Sequence, residues 1–337
     1  MFHKVVAINR PAIPLLKHHR KTRPLSTMVT TFLVVAGVPL GLYTYKCIML
    51  IAFQNQLIYM GYLPPGSRHN ENFKKLIPSS LEIHEETILT EDRKRLHGFI
   101  VSKKSAQSAS ATFIHAGLER SDPIMVYFQG NAGNMSDRFG LFKTALSAVP
   151  NMTIIGIGYR QYGNSNGYAT ESGLKRDAKA ILDKIQRKYG PNRPLYLYGH
   201  SLGGAVAIDL ASTVATNKEK YNIQGIIIEN TFTSIYDMVC ALYPAYSPYP
   251  YIAKYCLWNH WDSDRKIRSL PPSIRLLFLS SKRDEIVPPS HMKQLYSLAQ
   301  HTHPDNATFV QFERSLHMDI YSTEPRLFQC TLQKFII

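Results

Sequence analysis

A serine stands at the centre of the motif Gly-His-Ser-Leu-Gly at residues 199–203. An apolar run rich in β-formers precedes the motif, and an apolar, Ala-rich run follows it, so a strand, a sharp turn and a helix are expected with Ser201 at the apex. The glycines at both ends leave room for a tight elbow, and the helix that follows would point its positive end at the site. The alternative, a chance Gly-x-Ser-x-Gly, would not need this flanking pattern. Ser201 is therefore a candidate nucleophile for acyl carbonyls.

A serine hydroxyl needs a base to become a nucleophile, and the base needs a carboxylate to orient it. Asp284 and His317 each lie on a loop that follows an apolar strand-like run, in the chain order Ser, acid, His. We expect Asp284 to orient His317 and His317 to accept the proton of Ser201. Two other acids and two other histidines compete for these roles: Glu229, Glu285, His291 and His303. His200 is held by the elbow and is a poor candidate for the base.

A glycine-rich loop at residues 129–134 follows the apolar run 124–128. Such a loop after an early strand can present a backbone N–H to an oxyanion, because glycine leaves space for the substrate. The predicted oxyanion donors are the backbone N–H of Leu202 and that of Asn131 or Ala132.

The elements that would position these residues alternate along the chain as strands and helices, which predicts an α/β fold with a mostly parallel central sheet flanked by helices. Residues 231–268 depart from the alternation, with eight Tyr and Trp residues and three prolines, and predict a small cap insertion. Most of these rings should pack the cap itself, and one or two should line an acyl pocket. The strands are predicted at 81–89, 96–101, 124–128, 152–157, 195–198, 224–228, 274–279 and 308–312, and the clearest helix at 171–189 with Thr170 as its N-cap.

Residues 24–53 are apolar with one interrupting charge, Lys46, and about 20 helical residues span the hydrocarbon core of a bilayer. The sequence thus predicts a basic flank at 1–23, a single transmembrane anchor at 24–53, a linker at 54–80 and a catalytic domain at 81–337. The apolar region of a signal peptide and a buried helix are the alternatives. The basic flank would place the N-terminus on the cytosolic or matrix side.

Charge and cysteine content exclude several classes. The net charge of +15 falls to about +7 once the acid-free residues 1–70 are set aside, and no Arg-rich helix suggests nucleic acid as a partner. The four cysteines lack metal-ligand spacing, so we expect neither a metal nor another cofactor. Cys240 and Cys256 could pair in an oxidising compartment, although free thiols are favoured.

These motifs resemble the α/β-hydrolase superfamily and, more narrowly, its Bem-type membrane-anchored members. The resemblance covers about residues 54–337. It rests on segments 128–134, 159–167, 199–204, 229–232 and 284–288 and on His317. It implies the α/β-hydrolase fold and a serine hydrolase acting on carboxylic esters or thioesters, with lipids or acylated proteins as substrates. A catalytically silent membrane scaffold and a serine peptidase are the alternatives.

Three positions depart from the pattern of these hydrolases. Gln129 replaces the usual histidine before the oxyanion glycine, Gln161 replaces a glycine, and Gly158 replaces an acidic residue. A membrane of the endoplasmic reticulum or secretory pathway is favoured as the location, with a mitochondrial membrane as the alternative. Glycosylation at one of the three sequons, Asn134, Asn151 or Asn306, would decide between them.

Overall fold

The computed structural model describes residues 26–68, 73–104, 122–214 and 220–337. The predicted basic flank at 1–23 lies outside the described residues. The chain divides into two units, Met1–Ile48 and Met49–Ile337. Their boundary falls inside the last segment of an apolar helix.

That helix runs from Thr27 to Ala52 and, by its 26 residues and its composition, is long and apolar enough to cross a membrane. It consists of α1 (Thr27–Phe32), a π-helical turn (Leu33–Gly37) and α2 (Val38–Ala52). The Oγ of Ser26 caps its start by accepting from the N–H of Val29. Pro39 has no N–H to donate to the preceding turn, and the π-helical turn ends two residues before it.

Within the second unit, an eight-stranded sheet has the order β1-β2-β4-β3-β5-β6-β7-β8. β1 and β2 pair antiparallel, as do β2 and β4, and every other pair is parallel. The central strands are buried along their whole length because helices cover both faces. The strands are β1 (Leu81–Leu89), β2 (Arg95–Lys103), β3 (Ile124–Phe128), β4 (Thr153–Ile157), β5 (Leu195–His200), β6 (Ile223–Glu229), β7 (Arg275–Ser281) and β8 (Ala307–Phe312).

The helices that cover the sheet form one hydrophobic core on each of its faces. α5, α6 and α10 pack on one face, and α4 and α12 on the other. The Oγ1 of Thr170 accepts from Gly173 N–H at the start of α5, as its sequence predicts, and α5 ends at Gly190, whose φ is +84°. These helices are α4 (Phe139–Ala148), α5 (Glu171–Tyr189), α6 (Leu202–Val214), α10 (Pro289–Thr302) and α12 (Pro325–Ile336), with the short α11 (Ile320–Thr323) before α12.

The stretch after the apolar helix packs against the rest of its unit. It contains α3 (Gln54–Ile58) and Tyr59, which is fully buried. The Tyr59 hydroxyl donates to Asn259 Oδ1 (2.8 Å) and accepts from Trp261 Nε1 (2.9 Å). A sequence rich in polar and turn-forming residues, expected as a linker at 54–80, thus begins with a segment that the cap holds in place.

The cap insertion contains α7 (Ile235–Leu242), α8 (Pro248–Cys256) and α9 (Ser263–Ile267). The side chain of Ser234 caps the start of α7. Two prolines occupy the first turn of α8. Cys240 and Cys256, the candidate disulfide pair, are free thiols.

The loop that follows β4 is fixed by a buried ion pair. Asp177 on α5 is fully buried and accepts from the backbone N–H and the guanidinium of Arg160, the shortest contact being 2.7 Å. Arg160 also contacts Asp92 (2.8 Å), and this contact holds the pKa of Asp92 well below its usual range. The pair ties the β1–β2 turn, α5 and the loop at 159–167 into one assembly.

Candidate active site

Ser201 occupies a strained turn between β5 and α6, with φ at +54°. A non-glycine residue seldom takes this conformation, which here lifts the side chain out of the sheet. A β-carbon on Gly203 would collide with the carbonyl oxygen of Phe128, so the elbow packs directly on the end of β3. The turn is held by Ser201 N–H donating to the Glu229 carbonyl (2.8 Å) and by Thr231 Oγ1 donating to the Ser201 carbonyl (2.7 Å).

Asp284 and His317 meet although 33 residues separate them. His317 Nδ1 lies 2.8 Å from Asp284 Oδ2, and both side chains are almost wholly buried. The other carboxylate oxygen, Oδ1, accepts from the backbone N–H groups of Ile286 (2.9 Å) and Val287 (2.8 Å). Because an ionised carboxylate only accepts, the proton sits on Nδ1, and Nε2 of His317 keeps its lone pair for a substrate-side proton.

The competing histidines have other partners. His200 Nε2 donates to the His317 carbonyl (2.9 Å), and burial lowers the pKa of His200 well below its usual value. His291 contacts the hydroxyl of Thr233, and His303 donates to the Pro271 carbonyl. None of the three is placed against Asp284.

The competing acids also differ from Asp284. Glu285 accepts from the backbone N–H of His317 (3.0 Å) and not from its ring. Glu229 is fully buried at the end of β6 and accepts from the hydroxyl of Tyr198 (2.6 Å). Burial raises the pKa of Glu229 to about 7. Glu229 is therefore a buried carboxyl beside the site with a structural partner.

The glycine-rich loop lies against the elbow. A β-carbon on Gly130 would stand 3.1 Å from His200 Nδ1 and 3.4 Å from Ser201 Cβ. The Asn131 carbonyl accepts from Met60 N–H (2.8 Å) and from the hydroxyl of Tyr162 (3.0 Å), so the loop is anchored from outside. These two hydrogen bonds fix the Asn131 peptide beside the elbow.

The stretch after α3 supplies much of that anchoring. Met60 and Ala132 form a parallel β-bridge, and Gly133 N–H donates to the Leu63 carbonyl (2.7 Å). Gln161, which replaces a glycine of the related hydrolases, has φ at +74° and donates to the Tyr59 carbonyl (3.3 Å). The side chain thus gives a hydrogen bond at a position where the backbone itself favours glycine.

His200 is a common neighbour of Ser201 and His317. No hydrogen bond joins Ser201 Oγ to His317 in the part of the chain that the structure describes. The rings of His200 and His317 lie 4.8 Å apart between centroids. Asn230, with φ at +46°, donates from Nδ2 to both the His317 carbonyl (3.0 Å) and Ser281 Oγ (3.0 Å). Contacts of this kind often tighten only when substrate binds.

A cavity of about 340 Å³ opens beside Ser201. Asn131 and Leu202, two of the predicted oxyanion donors, border it together with Ser201, whereas Ala132 does not. Among the residues that the structure describes, none with a charged side chain lines it. The walls come from the end of α2 and α3 (Leu50, Ile51, Gln54, Leu57, Ile58), from α7 and its flanks (Phe232, Ile235, Met238, Val239, Leu242, Tyr243), from α8 and its flanks (Tyr249, Ile252, Ala253, Cys256, Leu257) and from Ile286 and Val287. A cavity of this size and lining suits one apolar ligand group.

Within the described ranges, no three His, Cys, Asp or Glu side chains are grouped so that they could hold a metal ion.

Other proteins resemble this chain in sequence. The protein bem46 of Schizosaccharomyces pombe is 36% identical over 269 residues, which cover 79% of each chain. The chain belongs to the Bem46 family of α/β-hydrolases. A family model described as serine aminopeptidase, S33, matches residues 152–254, a range that includes Ser201 but neither Asp284 nor His317. The lysophosphatidylserine lipase ABHD12 of Danio rerio is 29% identical over 219 residues, 62% of this chain and 56% of that protein.

Solved structures support the fold assignment. The esterase Pf2001 of Pyrococcus furiosus superposes with a TM-score of 0.58 over 79% of this chain and 94% of its own, at 18% identity. The predicted α/β-hydrolase fold is thereby confirmed, with its mostly parallel sheet and flanking helices. Membership of the Bem46 family also makes this chain a hydrolase of the esterase type.

The sequence alone did not predict two features of the site in this Bem46-family chain. One is Asn230, which bridges the strand ends beneath His317. The other is the cavity wall formed by residues 50–58. The sequence does contain a pattern that indicates this wall, since four of its residues have the i, i+4, i+7, i+8 spacing of one helix face: Leu50, Gln54, Leu57 and Ile58. Without a partner for that face, the spacing could not be assigned to a site.

Proposed function

We propose that the protein is a membrane-tethered serine hydrolase of carboxylic esters or thioesters. The observation that carries the proposal is the contact of 2.8 Å between His317 Nδ1 and Asp284 Oδ2 beside a cavity bordered by Ser201. Ser201 Oγ attacks the acyl carbonyl while His317 Nε2 takes its proton. The N–H groups of Leu202 and Asn131 stabilise the oxyanion, with Ala132 as the alternative to Asn131.

Collapse of the tetrahedral intermediate breaks the bond to the leaving alcohol or thiol, which takes the proton from His317 Nε2. Water then attacks the acyl-enzyme, again with His317 as base, and releases the carboxylic acid and free Ser201. Asp284 keeps the His317 ring in one tautomer and stabilises the imidazolium formed in each half-reaction.

The lining of the cavity favours an apolar acyl group over a peptide. An aminopeptidase has to hold a charged α-amino group, and that group needs an acidic partner near the nucleophile. None of the residues lining the cavity is acidic. We therefore expect hydrolysis of acyl esters, acyl thioesters or both, and no release of p-nitroaniline from amino-acid p-nitroanilides. Peptide-type activity exceeding ester activity would favour the serine peptidase alternative.

The apolar helix supports the tether. A helix of 26 residues is about 39 Å long at 1.5 Å per residue, enough for a hydrocarbon core of about 30 Å. We expect the protein to stay in the membrane pellet after extraction at alkaline pH, which a peripheral protein would not do.

An endomembrane location would expose the sequons to glycosylation. Asn134 is buried and caps a turn with its side chain, whereas Asn151 is exposed, so Asn151 is the better acceptor. A mobility shift on deglycosylation that disappears in Asn151→Gln would favour the secretory pathway. Absence of any shift would leave a mitochondrial membrane or a domain that faces the cytosol as the alternatives.

Labelling by a fluorophosphonate probe tests the nucleophile. We expect the wild type and Ser172→Ala to label and Ser201→Ala not to label, because Ser172 is an exposed serine on α5 away from the elbow. Turnover of p-nitrophenyl and acyl-thioester substrates should follow the same pattern. A folded wild type without labelling would favour a catalytically silent scaffold, and full labelling of Ser201→Ala would refute the assignment of the nucleophile.

A further inference from the structure

The cap carries a group of exposed rings that no part of the proposed reaction uses. We define this aromatic face as Tyr251 and Tyr255, one turn apart on α8, and Tyr246 and Trp258, each two residues beyond an end of that helix; they are 62%, 76%, 92% and 49% exposed, respectively. Large apolar groups gathered at one surface normally contact a partner or a membrane. Tyr and Trp are also the residues enriched at the boundary between lipid and water, because their rings are apolar and their polar atoms stay hydrated.

Hydrogen bonds place the aromatic face beside the end of the apolar helix. Trp258 Nε1 donates to Asn55 Oδ1 (3.3 Å), and Trp258 N–H donates to Gln54 Oε1 (3.0 Å). Gln54 Nε2 in turn donates to the Cys256 carbonyl (3.1 Å). Ala52, the last residue of the apolar helix, is three residues before Asn55, so their Cα atoms lie within about 11 Å. A membrane that contained the helix up to Ala52 would therefore have its boundary close to Trp258.

The charges of the segment that carries the aromatic face favour a bilayer as the partner. Residues 235–261 contain one acid, Asp237, and one base, Lys254. Asp237 accepts a hydrogen bond from the hydroxyl of Thr233 (2.6 Å). A lysine on such a face can extend its ammonium group to the level of the lipid phosphates. A face with aromatic rings, one lysine and no free carboxylate has the composition of an interfacial membrane contact.

The cavity reaches the same part of the cap. Its lining includes Leu242, which is 58% exposed, and Tyr243, which is 40% exposed, together with Leu57 at 50%. These side chains belong to the ends of α7 and α3, which flank the aromatic face. An acyl chain that left a bilayer at this face would meet apolar side chains from the lipid to Ser201.

We propose that the aromatic face of the cap lies in the lipid–water interface of the membrane entered by the apolar helix, so that the cavity receives acyl chains directly from the bilayer. The second half of this statement rests on the proposed hydrolase function, and the first half does not. The partner is a lipid surface, and the substrate is a lipid or lipid-linked acyl group whose chain is already in the membrane.

Tryptophan quenching tests the contact without requiring catalysis. The chain has two tryptophans, the exposed Trp258 and the buried Trp261. The full-length protein is reconstituted in phosphatidylcholine vesicles with brominated acyl chains, and insertion is checked by alkaline extraction. We expect bromolipid to quench most of the emission that Trp258→Phe removes, and aqueous iodide to quench little of it.

A second tryptophan position serves as the matched control. Gln224 is exposed at the amino end of β6, at the edge of the sheet opposite Ser201. In a Trp258→Phe background, Gln224→Trp should be quenched by iodide and not by bromolipid. Quenching of Trp258 by iodide alone would show that the face is in water and would overturn the proposal. Quenching by neither agent would show a protein partner or a second copy and would also overturn it.

A kinetic experiment tests delivery from the bilayer. The double variant Tyr246→Ser/Tyr255→Ser changes exposed rings that do not line the cavity. We expect a several-fold loss of hydrolysis for a long-chain ester presented in vesicles and unchanged hydrolysis of a water-soluble short-chain ester. Equal rates on both substrates would refute delivery from the bilayer. If neither the wild type nor the variant hydrolyses any ester, the proposed function fails, and the quenching result still decides the membrane contact.

Discussion

Replacing Asp284 with asparagine should preserve the geometry of the site but move the ring proton of His317 from Nδ1 to Nε2. The Oδ1 atom of Asp284 accepts from two backbone N–H groups, those of Ile286 and Val287. In Asp284→Asn, the amide oxygen has to keep this position, because the opposite orientation would set an NH₂ group against two N–H donors. Leaving these donors unsatisfied would cost about 1–3 kcal/mol, mainly for the N–H of Val287, which is buried whereas Ile286 is half exposed.

The fixed amide then points its NH₂ group at His317 Nδ1, where the carboxylate oxygen now lies at 2.8 Å. Nδ1 must accept, so the proton moves to Nε2, the atom that should take the proton of Ser201. Loss of the correct tautomer at a Ser-His-Asp site lowers kcat by about 10⁴-fold, or about 5.5 kcal/mol in the transition state. We expect a decrease of this order, with KM little changed because no cavity residue is altered.

The matched control is Glu285→Gln. Glu285 also contacts His317, but at its backbone N–H (3.0 Å), and glutamine keeps an oxygen that can accept there. We expect kcat to stay within a few-fold of the wild type. The assay is steady-state hydrolysis of a p-nitrophenyl ester by the detergent-solubilised full-length protein, with thermal unfolding as a check on folding. The assignment would be refuted if Asp284→Asn kept more than about a tenth of the wild-type kcat. It would also be refuted if the kcat of Glu285→Gln fell below about a tenth of that value.

Three further outcomes concern stability. Gly203→Ala should lower the free energy of unfolding by about 3 kcal/mol, measured in urea, since its methyl group would meet the carbonyl of Phe128; an unchanged midpoint would contradict the tight elbow. Asp177→Asn should cost about 2 kcal/mol because the buried guanidinium of Arg160 would lose the charge of Asp177 and keep that of Asp92, and a loss under about 0.5 kcal/mol would contradict this. Burial raises the pKa of Glu229 to about 7 from 4.5, so the folded state holds a proton that the unfolded state releases, and stability should fall by about 3 kcal/mol as pH rises from about 4.5 to 7. In thermal melting, the stability of Glu229→Gln should not decrease over this pH range. Parallel pH profiles of the variant and the wild type would refute the raised pKa of Glu229.

Local sequence patterns were sufficient to predict most of the fold. Unbroken apolar runs predict the central strands because helices cover both faces of a parallel sheet, and Thr170 predicts the start of α5 because its hydroxyl can satisfy a free N–H. The pairing of Asp284 with His317 could also be anticipated, since both follow neighbouring strands at the same edge of the sheet. Each of these inferences depends on chemistry within a few residues or on the regular connection of strands.

Contacts between distant segments could not be predicted in this way. Gln54 and Asn55 look like linker residues, and only the approach of residues 256–259 reveals them as the hydrogen-bonding partners of the cap. The raised pKa of Glu229 likewise depends on complete burial, which several elements produce together. The sequence predicts an acid at a strand end, whereas its protonation depends on the assembled core.

The contact between α3 and the cap has a consequence for the order of folding. Gln54 and the Cys256 carbonyl that it binds are separated by 202 residues. At a synthesis rate of about 5–20 residues per second, the segment after the apolar helix waits about 10–40 s before its partner has been made. During that interval Leu57 and Ile58 have no cap to pack against. The cavity wall formed by residues 50–58 can therefore form only after β1 to β6, including the strands beside Ser201, have been synthesised.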